Sequence, residues 1–262
     1  MTDARTVKFE GHGPKGTMQT WNSITKEALA AGSAVPTDRG HTYLEVKELG
    51  LSAGVWDCTP FTAKEGPYPV NELMHVLEGT ITIVEKGGRE TTISAGETFI
   101  IPKGLVCAWK QPTYVRKFFV IFDDASGAKA KDPSKLHVIK VDTKAPLGPM
   151  EIADTLMFIG PVPTQTVKSW FEDASGQLTV GVWATTPFTR KVAPFGRYEL
   201  MHILEGEVTI SDGKGGDQTF KAGDTFLVPQ GAPCAWSNKV PVKKIYTIFK
   251  AREAAANVAA AE

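Results

Sequence analysis

What this chain lacks narrows it first. Neither charge is in excess, because Lys and Arg total 29 and Asp and Glu total 29. With no basic field to attract nucleic acid or an acidic membrane, neither is expected as a partner. No apolar run approaches the roughly 20 residues needed to span a bilayer. The opening stretch MTDARTVKFEGHG has no apolar segment after its charges, so no secretory signal is expected. Cysteine is scarce, three in all and none in a Cys-x-x-Cys pair, which points to a reducing, cytoplasmic compartment. Histidine is scarce too. The five stand at 12, 41, 75, 137 and 202, and none forms His-x-His.

What remains is ordinary in composition and unusual in order. Over 262 residues, 42% are hydrophobic and 22% charged, enough to build one large core or two of common size. The order is a repeat. Gly54-Val55-Trp56 returns as Gly181-Val182-Trp183, and Thr59-Pro60-Phe61-Thr62 as Thr186-Pro187-Phe188-Thr189. Glu72-Leu73-Met74-His75 returns as Glu199-Leu200-Met201-His202, and Cys107-Ala108-Trp109 as Cys234-Ala235-Trp236. Lys117 returns as Lys244. Every pair is 127 positions apart, so the copies differ by no net insertion. The duplicated unit covers residues 40–125 and 167–250. An N-terminal arm (1–39), a connection (126–166) and an Ala-rich tail (251–262) flank the copies.

Each copy reads as β. Thr80-Ile81-Thr82-Ile83-Val84 and Val208-Thr209-Ile210 are β-branched runs that stop at Gly-rich turns. Thr98–Ile101 and Thr225–Val228 each end at Pro, which cannot donate to a ladder. Short strands with Gly/Pro turns indicate a sandwich or barrel. In the connection, Leu136–Val141 reads as a strand opening the second half. Helical signals are few: Ile24–Ala31 reads as a short helix, and the tail as frayed helix or disorder.

These residues carry a resemblance. Glu72, then Val76-Leu77-Glu78-Gly79, Ala95-Gly96-Glu97-Thr98-Phe99 and Pro102-Lys103-Gly104 are similar to the two signature stretches of the cupin superfamily. Glu199, Leu204-Glu205-Gly206, Ala222-Gly223-Asp224-Thr225-Phe226 and Pro229-Gln230-Gly231 repeat them. The Cys-Ala-Trp after each Pro-x-Gly resembles the branch that groups ureidoglycine aminohydrolase-type and ethanolamine-utilisation-type cupins. The resemblance implies an all-β chain of two tandem jelly-roll barrels, each aiming a metal site inward from a His-x-His, a Glu and a later His. The sequence departs from that ligand set. Only Glu72 and Glu199 keep their place, and Cys107 and Cys234 stand where the last His belongs.

On a strand, positions 72, 74 and 76 share one face, so Glu72 lies beside Met74, and Glu199 beside Met201. Such a Glu is either an inward carboxylate with a raised pKa, fit for general acid/base work, or a rim residue paired with Arg197 or Lys117. Cys107 and Cys234 are either small buried hydrophobes or thiols facing the Glu as nucleophile or ligand. Trp56, Trp109, Trp183 and Trp236 are either core residues or aromatic walls; Trp109 and Trp236, which share the parity of the cysteines, are expected to line the pockets. Lys117, Lys244, Arg197 and Tyr68 complete the candidate substrate contacts. Lys64, Arg190 and Lys191 add positive charge near the barrel mouths.

Three functions stay open: an enzyme on a small polar or anionic metabolite, a non-catalytic binding or sensing bicupin, and a metalloenzyme with unusual ligands that adds Glu65, Tyr68 or Tyr198. No cofactor is expected. A divalent metal on Glu72 and Cys107, or on Glu199 and Cys234, is the exception kept open. A small-molecule ligand is the expected partner, and a homodimer stays open. The faces opposite the pockets, Leu73-His75-Leu77 and Leu200-His202-Leu204, are expected to be buried between barrels or subunits, with both imidazoles structural.

Overall fold

A computed structural model describes residues 4–252; the Ala-rich tail beyond Arg252 lies outside the described residues. Each repeat contributes eight long strands. In the first they are β1 (Asp38–Val46), β2 (Leu51–Cys58), β3 (Asn71–Glu78), β4 (Thr80–Glu85), β5 (Glu90–Ser94), β6 (Thr98–Ile101), β7 (Val106–Gln111) and β8 (Val115–Phe122). In the second they are β9 (Gln165–Glu172), β10 (Leu178–Thr185), β11 (Tyr198–Glu205), β12 (Glu207–Ser211), β13 (Gln218–Lys221), β14 (Thr225–Val228), β15 (Pro233–Asn238) and β16 (Val242–Phe249). One sheet of each barrel runs β6-β3-β8-β2-β1, matched by β14-β11-β16-β10-β9. The other holds β7-β4-β5, matched by β15-β12-β13. Two all-β jelly-roll barrels in one chain result, with the same strand order.

Period-2 patterning explains why the strands sit as they do. Along β4, Ile81, Ile83 and Glu85 are buried while Thr80, Thr82 and Val84 are half-exposed. The Gly ending each Leu-Glu-Gly is obligatory. Gly79 and Gly206 have φ of 85° and 79°, and a Cβ on either would lie 2.1–2.2 Å from a backbone carbonyl oxygen. Just before each, the ladder slips by one residue: Lys117 faces Val76 while Arg116 faces Glu78, and Lys244 faces Ile203 while Lys243 faces Glu205.

The outer faces meet each other. Leu73, Val120 and Phe122 of the first barrel and Leu200, Ile245 and Phe249 of the second share one apolar cluster. At its edge the rings of His75 and His202 lie 4.0 Å apart, centroid to centroid. Each Nδ1 bonds a threonine hydroxyl at 2.8 Å, on Thr98 and Thr225 respectively. Burial, together with the neighbouring His202, drives the His75 pKa down to about 3, and burial takes His202 down to about 4, so both rings are neutral. The expectation of structural, packed imidazoles holds, between barrels.

Two local expectations change. The strand expected to open the second half, shortened to Ile139–Lys140, instead pairs with β6 of the first barrel. Val7–Lys8, in the N-terminal arm, pairs in the same manner with β14 of the second barrel. Each leader strand thus edges the other repeat, because the crossing it must make ends beside the partner's open ladder. Over Ile24–Ala31 there is only a 3-10 turn, Lys26–Ala28. Leu29 bridges Ala63 and is drawn into the barrel core, where it is 3% exposed.

Candidate functional site

The site in each barrel starts from strand parity. Glu72 and Met74 on β3, Trp56 on β2 and Lys117 on β8 all point inward, with Lys117 directly across from Trp56 and Val76. The second barrel repeats this with Glu199, Met201, Trp183 and Lys244. The lysine therefore cannot reach solvent by the route its length would normally allow. It is met by its own barrel's carboxylate. Lys117 Nζ donates to Glu72 Oε1 at 2.6 Å, and Lys244 Nζ to Glu199 Oε1 at 2.8 Å. All four side chains are 7% exposed or less.

The rest of each ammonium's surroundings is aromatic. Lys117 Nζ lies 4.9 Å from the Trp56 ring centroid and 5.1 Å from Trp109. Lys244 Nζ lies 4.7 Å from Trp183 and 4.8 Å from Trp236, with the Met201 sulfur at 3.1 Å. Desolvated cation–π contacts of this kind stabilise the charge. The tryptophans are themselves fixed: Trp109 Nε1 donates to Gln111 at 3.1 Å and Trp236 Nε1 to Asn238 at 2.8 Å. Phe61 stacks parallel to Trp109, and Phe188 to Trp236.

The second carboxylate oxygen is held differently in the two barrels. Tyr68 donates to Glu72 Oε2 at 2.5 Å. Burial and the adjacent Glu72 hold that phenol far above the usual tyrosine range, so it remains a donor. In the second barrel Phe195 stands at the corresponding place, and Arg197 reaches in from the mouth, donating to Glu199 Oε2 through Nε at 2.9 Å and Nη2 at 2.8 Å. Burial pushes the Glu199 carboxyl up, but Lys244 and Arg197 outweigh it and leave its pKa below the ordinary value. The expected raised carboxyl is thus corrected at Glu199: ion pairing beats desolvation, and the carboxylate is an acceptor with no proton to give. Lys244 shifts down on burial, opposed by Glu199.

The thiols fall on the inward side as parity requires, and burial raises both. Burial, then Glu85 and Glu65, pushes Cys107 up to about 11. Burial, then Glu199, pushes Cys234 up to about 11 against Lys244, Arg190 and Arg197. A thiol with such a pKa carries almost no thiolate at neutral pH. Tyr198, one residue from Glu199, faces the opposite way and packs on Phe249 between the barrels, so it drops out of any ligand set. Lys64 bonds the Glu27 carbonyl and stays outside.

Two inward carboxylates escaped sequence reading, Asp38, which accepts from the Trp56 indole, and Glu85. Glu85 pairs with Cys107 across β4 and β7, is buried, and accepts the Val138 amide at 2.9 Å. The alternation Ile81-x-Ile83-x-Glu85 carries its inward parity. Trp56 and Trp183 also form the cation's walls together with Trp109 and Trp236.

A family model described as the EutQ-like cupin domain matches residues 47–119 and 172–246, more than half of the chain. The chain belongs to the EutQ-like cupin family. This bicupin resembles a protein of unknown function from Pseudomonas syringae pv. tomato, assigned to the DUF861 family, at 27% identity. That match has a TM-score of 0.76 and covers 94% of this chain and all of the other. It also shares its fold with Ylba from E. coli (11% identity, TM-score 0.55, covering 97% and 94%). A putative dioxygenase from Nostoc punctiforme has the fold as well (15% identity, TM-score 0.60, covering 95% and 84%). No curated protein matches by sequence.

The inward metal site that the cupin resemblance implies does not fit the residues of this bicupin. Among the described residues no three His, Cys, Asp or Glu side chains converge as ligands, and transition metals ordinarily take three or four protein groups. The inward carboxylate already holds an ammonium at hydrogen-bonding distance on one oxygen in both barrels. A second cation there would meet like-charge repulsion.

Among the described residues no helix is long and apolar enough to cross a membrane.

Proposed function

We infer that this bicupin is a metal-independent binding protein for a small polar or anionic molecule, with the lysine ammonium as the cation that the inward carboxylate of Glu72 or Glu199 holds. The observation that carries this reading is the buried ion pair, Lys117–Glu72 at 2.6 Å and Lys244–Glu199 at 2.8 Å, enclosed by tryptophan faces in both repeats. The reading favours binding over acid–base turnover. Glu199 is an ionised acceptor, and both inward thiols remain protonated. Lysine and tryptophan supply an oriented cation and flat walls, which suit a compact ligand with a planar polar group.

The test is metal analysis of the full chain purified without chelator after growth with added manganese, iron, nickel and zinc. The expected result is far less than one metal per barrel, with melting temperature unchanged by chelator. One tightly held metal per barrel, lost with Glu72→Gln and Glu199→Gln, would overturn the reading.

A further inference from the structure

The two sites share a centre and differ in the charges around it. In the first barrel the inward charged groups are Lys117, Glu72, Glu85 and Asp38, which accepts from the Trp56 indole at 3.3 Å, one positive against three negative. Glu85 is 8% exposed, on the same face of β4 as the buried Ile81 and Ile83. Its counterpart in the second barrel, Asp212, has turned onto its own loop, accepting the amides of Lys214 and Gly216 at 2.7 and 3.0 Å. The inward carboxylate is thus lost from the second barrel, and two guanidiniums are gained.

The first of these is Arg197, in place of Val70, half-exposed at the mouth and bound to Glu199. The second is Arg190, in place of Ala63. It ends the short strand Phe188–Arg190, two residues beyond the Phe188 ring that stacks on Trp236, so parity turns it toward the same interior. Arg190 is half-buried, and its guanidinium has no hydrogen-bond or ion-pair partner among the described residues. The ladder that pairs Phe188 with Asn238 and Thr189 with Ser237 brings Arg190 opposite Trp236, and Arg197 sits on Glu199, whose other oxygen holds the Lys244 ammonium over that same Trp236. The second site therefore holds Lys244, Arg197 and Arg190 against Glu199 alone, three positive charges to one negative.

We propose that the second barrel binds a small dicarboxylate-type anion at its mouth, between Arg190 and Arg197, and that the first barrel does not. The inference rests on the proposed binding function and names the ligand class for one of its two sites. Excess cationic charge in a partly desolvated pocket is relieved by an anion. The planar guanidinium presents paired donors that match a carboxylate. In the first barrel an anion would meet Glu85 and find Ala63 and Val70 where those donors stand.

The experiment is NMR on the full chain with 15N-labelled tryptophan, the signals assigned by single Trp→Phe variants. The indoles of Trp56 and Trp109 report on the first barrel, and those of Trp183 and Trp236 on the second. The probes are malonate, its neutral analogue malonamide, and cationic 1,3-diaminopropane. Malonate is expected to move the Trp183 and Trp236 signals and leave Trp56 and Trp109 in place. Arg190→Ala is expected to weaken malonate binding about tenfold or more, and Arg190→Lys to weaken it less. Equal malonate response in both barrels, or native affinity in Arg190→Ala, overturns the proposal. So does malonamide binding the second barrel as tightly as malonate, although the broader binding function then stands. If none of the three probes moves any indole, both readings fall together.

Discussion

The two barrels are the same fold written twice, and they agree at the buried ion pair and differ in the charges around it. The buried pair Lys117–Glu72 recurs as Lys244–Glu199, with the same tryptophan walls and the same slip in the ladder beside it. One step toward the mouth the agreement ends, since Tyr68 satisfies the carboxylate in one copy and Arg197 in the other. A buried charge cannot lose its partner without a large penalty, so neither member of the pair is free to vary alone. A mouth residue meets water and is free to change.

The sharpest way to break this comparison is to remove the buried cation. Lys117→Met leaves Glu72 with a single neutral donor, and a loss of about 3–5 kcal/mol is expected in urea unfolding. Lys244→Met should cost less, because Glu199 keeps Arg197. Equal losses would mean that Arg197 contributes nothing to holding the charge. Adding Glu72→Leu to Lys117→Met should restore much of the stability, since an apolar pair leaves no orphan.

Acid tests the seam between the barrels. The folded-state pKa values of His75 and His202, about 3 and about 4, lie below the ordinary 6.5. Their contribution is therefore complete above pH 6.5 and is lost as pH falls toward the folded values. The slope should approach 1.4 kcal/mol per pH unit for each ring, at about that size. Between pH 6.5 and 4.5 the depressed carboxyl of Glu199 adds nothing, because its ordinary value is 4.5. Chemical denaturation across that window should thus report the two histidines, and the double variant His75→Gln/His202→Gln should flatten it. An unchanged slope would show that the seam does not exclude protons.

The smallest effect concerns the third partner. Tyr68→Phe removes a hydrogen bond to a carboxylate and should cost about 1.5–3 kcal/mol. The converse, Phe195→Tyr, should change stability by no more than about 0.5 kcal/mol, because Glu199 Oε2 already accepts from Arg197 twice. A gain from Phe195→Tyr as large as the loss from Tyr68→Phe would erase the distinction between the mouths.

Much of this was legible from residue order. The constant spacing of Glu72 and Glu199, Trp109 and Trp236 announces the duplication, and parity places the carboxylate, thiol and tryptophan on one side of their sheets. Parity also puts His75 and His202 on the opposite face, where they pack. The lowered pKa of the Glu199 carboxyl was not legible. It depends on Lys244 folding inward, and a lysine in a β-run reads equally well as a solvated surface residue.

By itself, the sequence determined the repeat, the barrel class and which side chains share a face, because these follow from a constant spacing, from a period of 2 and from turns whose backbone conformation only glycine accepts. Tertiary structure alone decided the rest. It sent Val7–Lys8 to the second barrel and Ile139–Lys140 to the first, since a ladder's free edge is filled by whichever strand passes it. It closed the two barrels on each other through one shared apolar cluster. It also set the charge of the site, because distances between residues 45 positions apart in the chain, Glu72 to Lys117 and Glu199 to Lys244, exist only after folding.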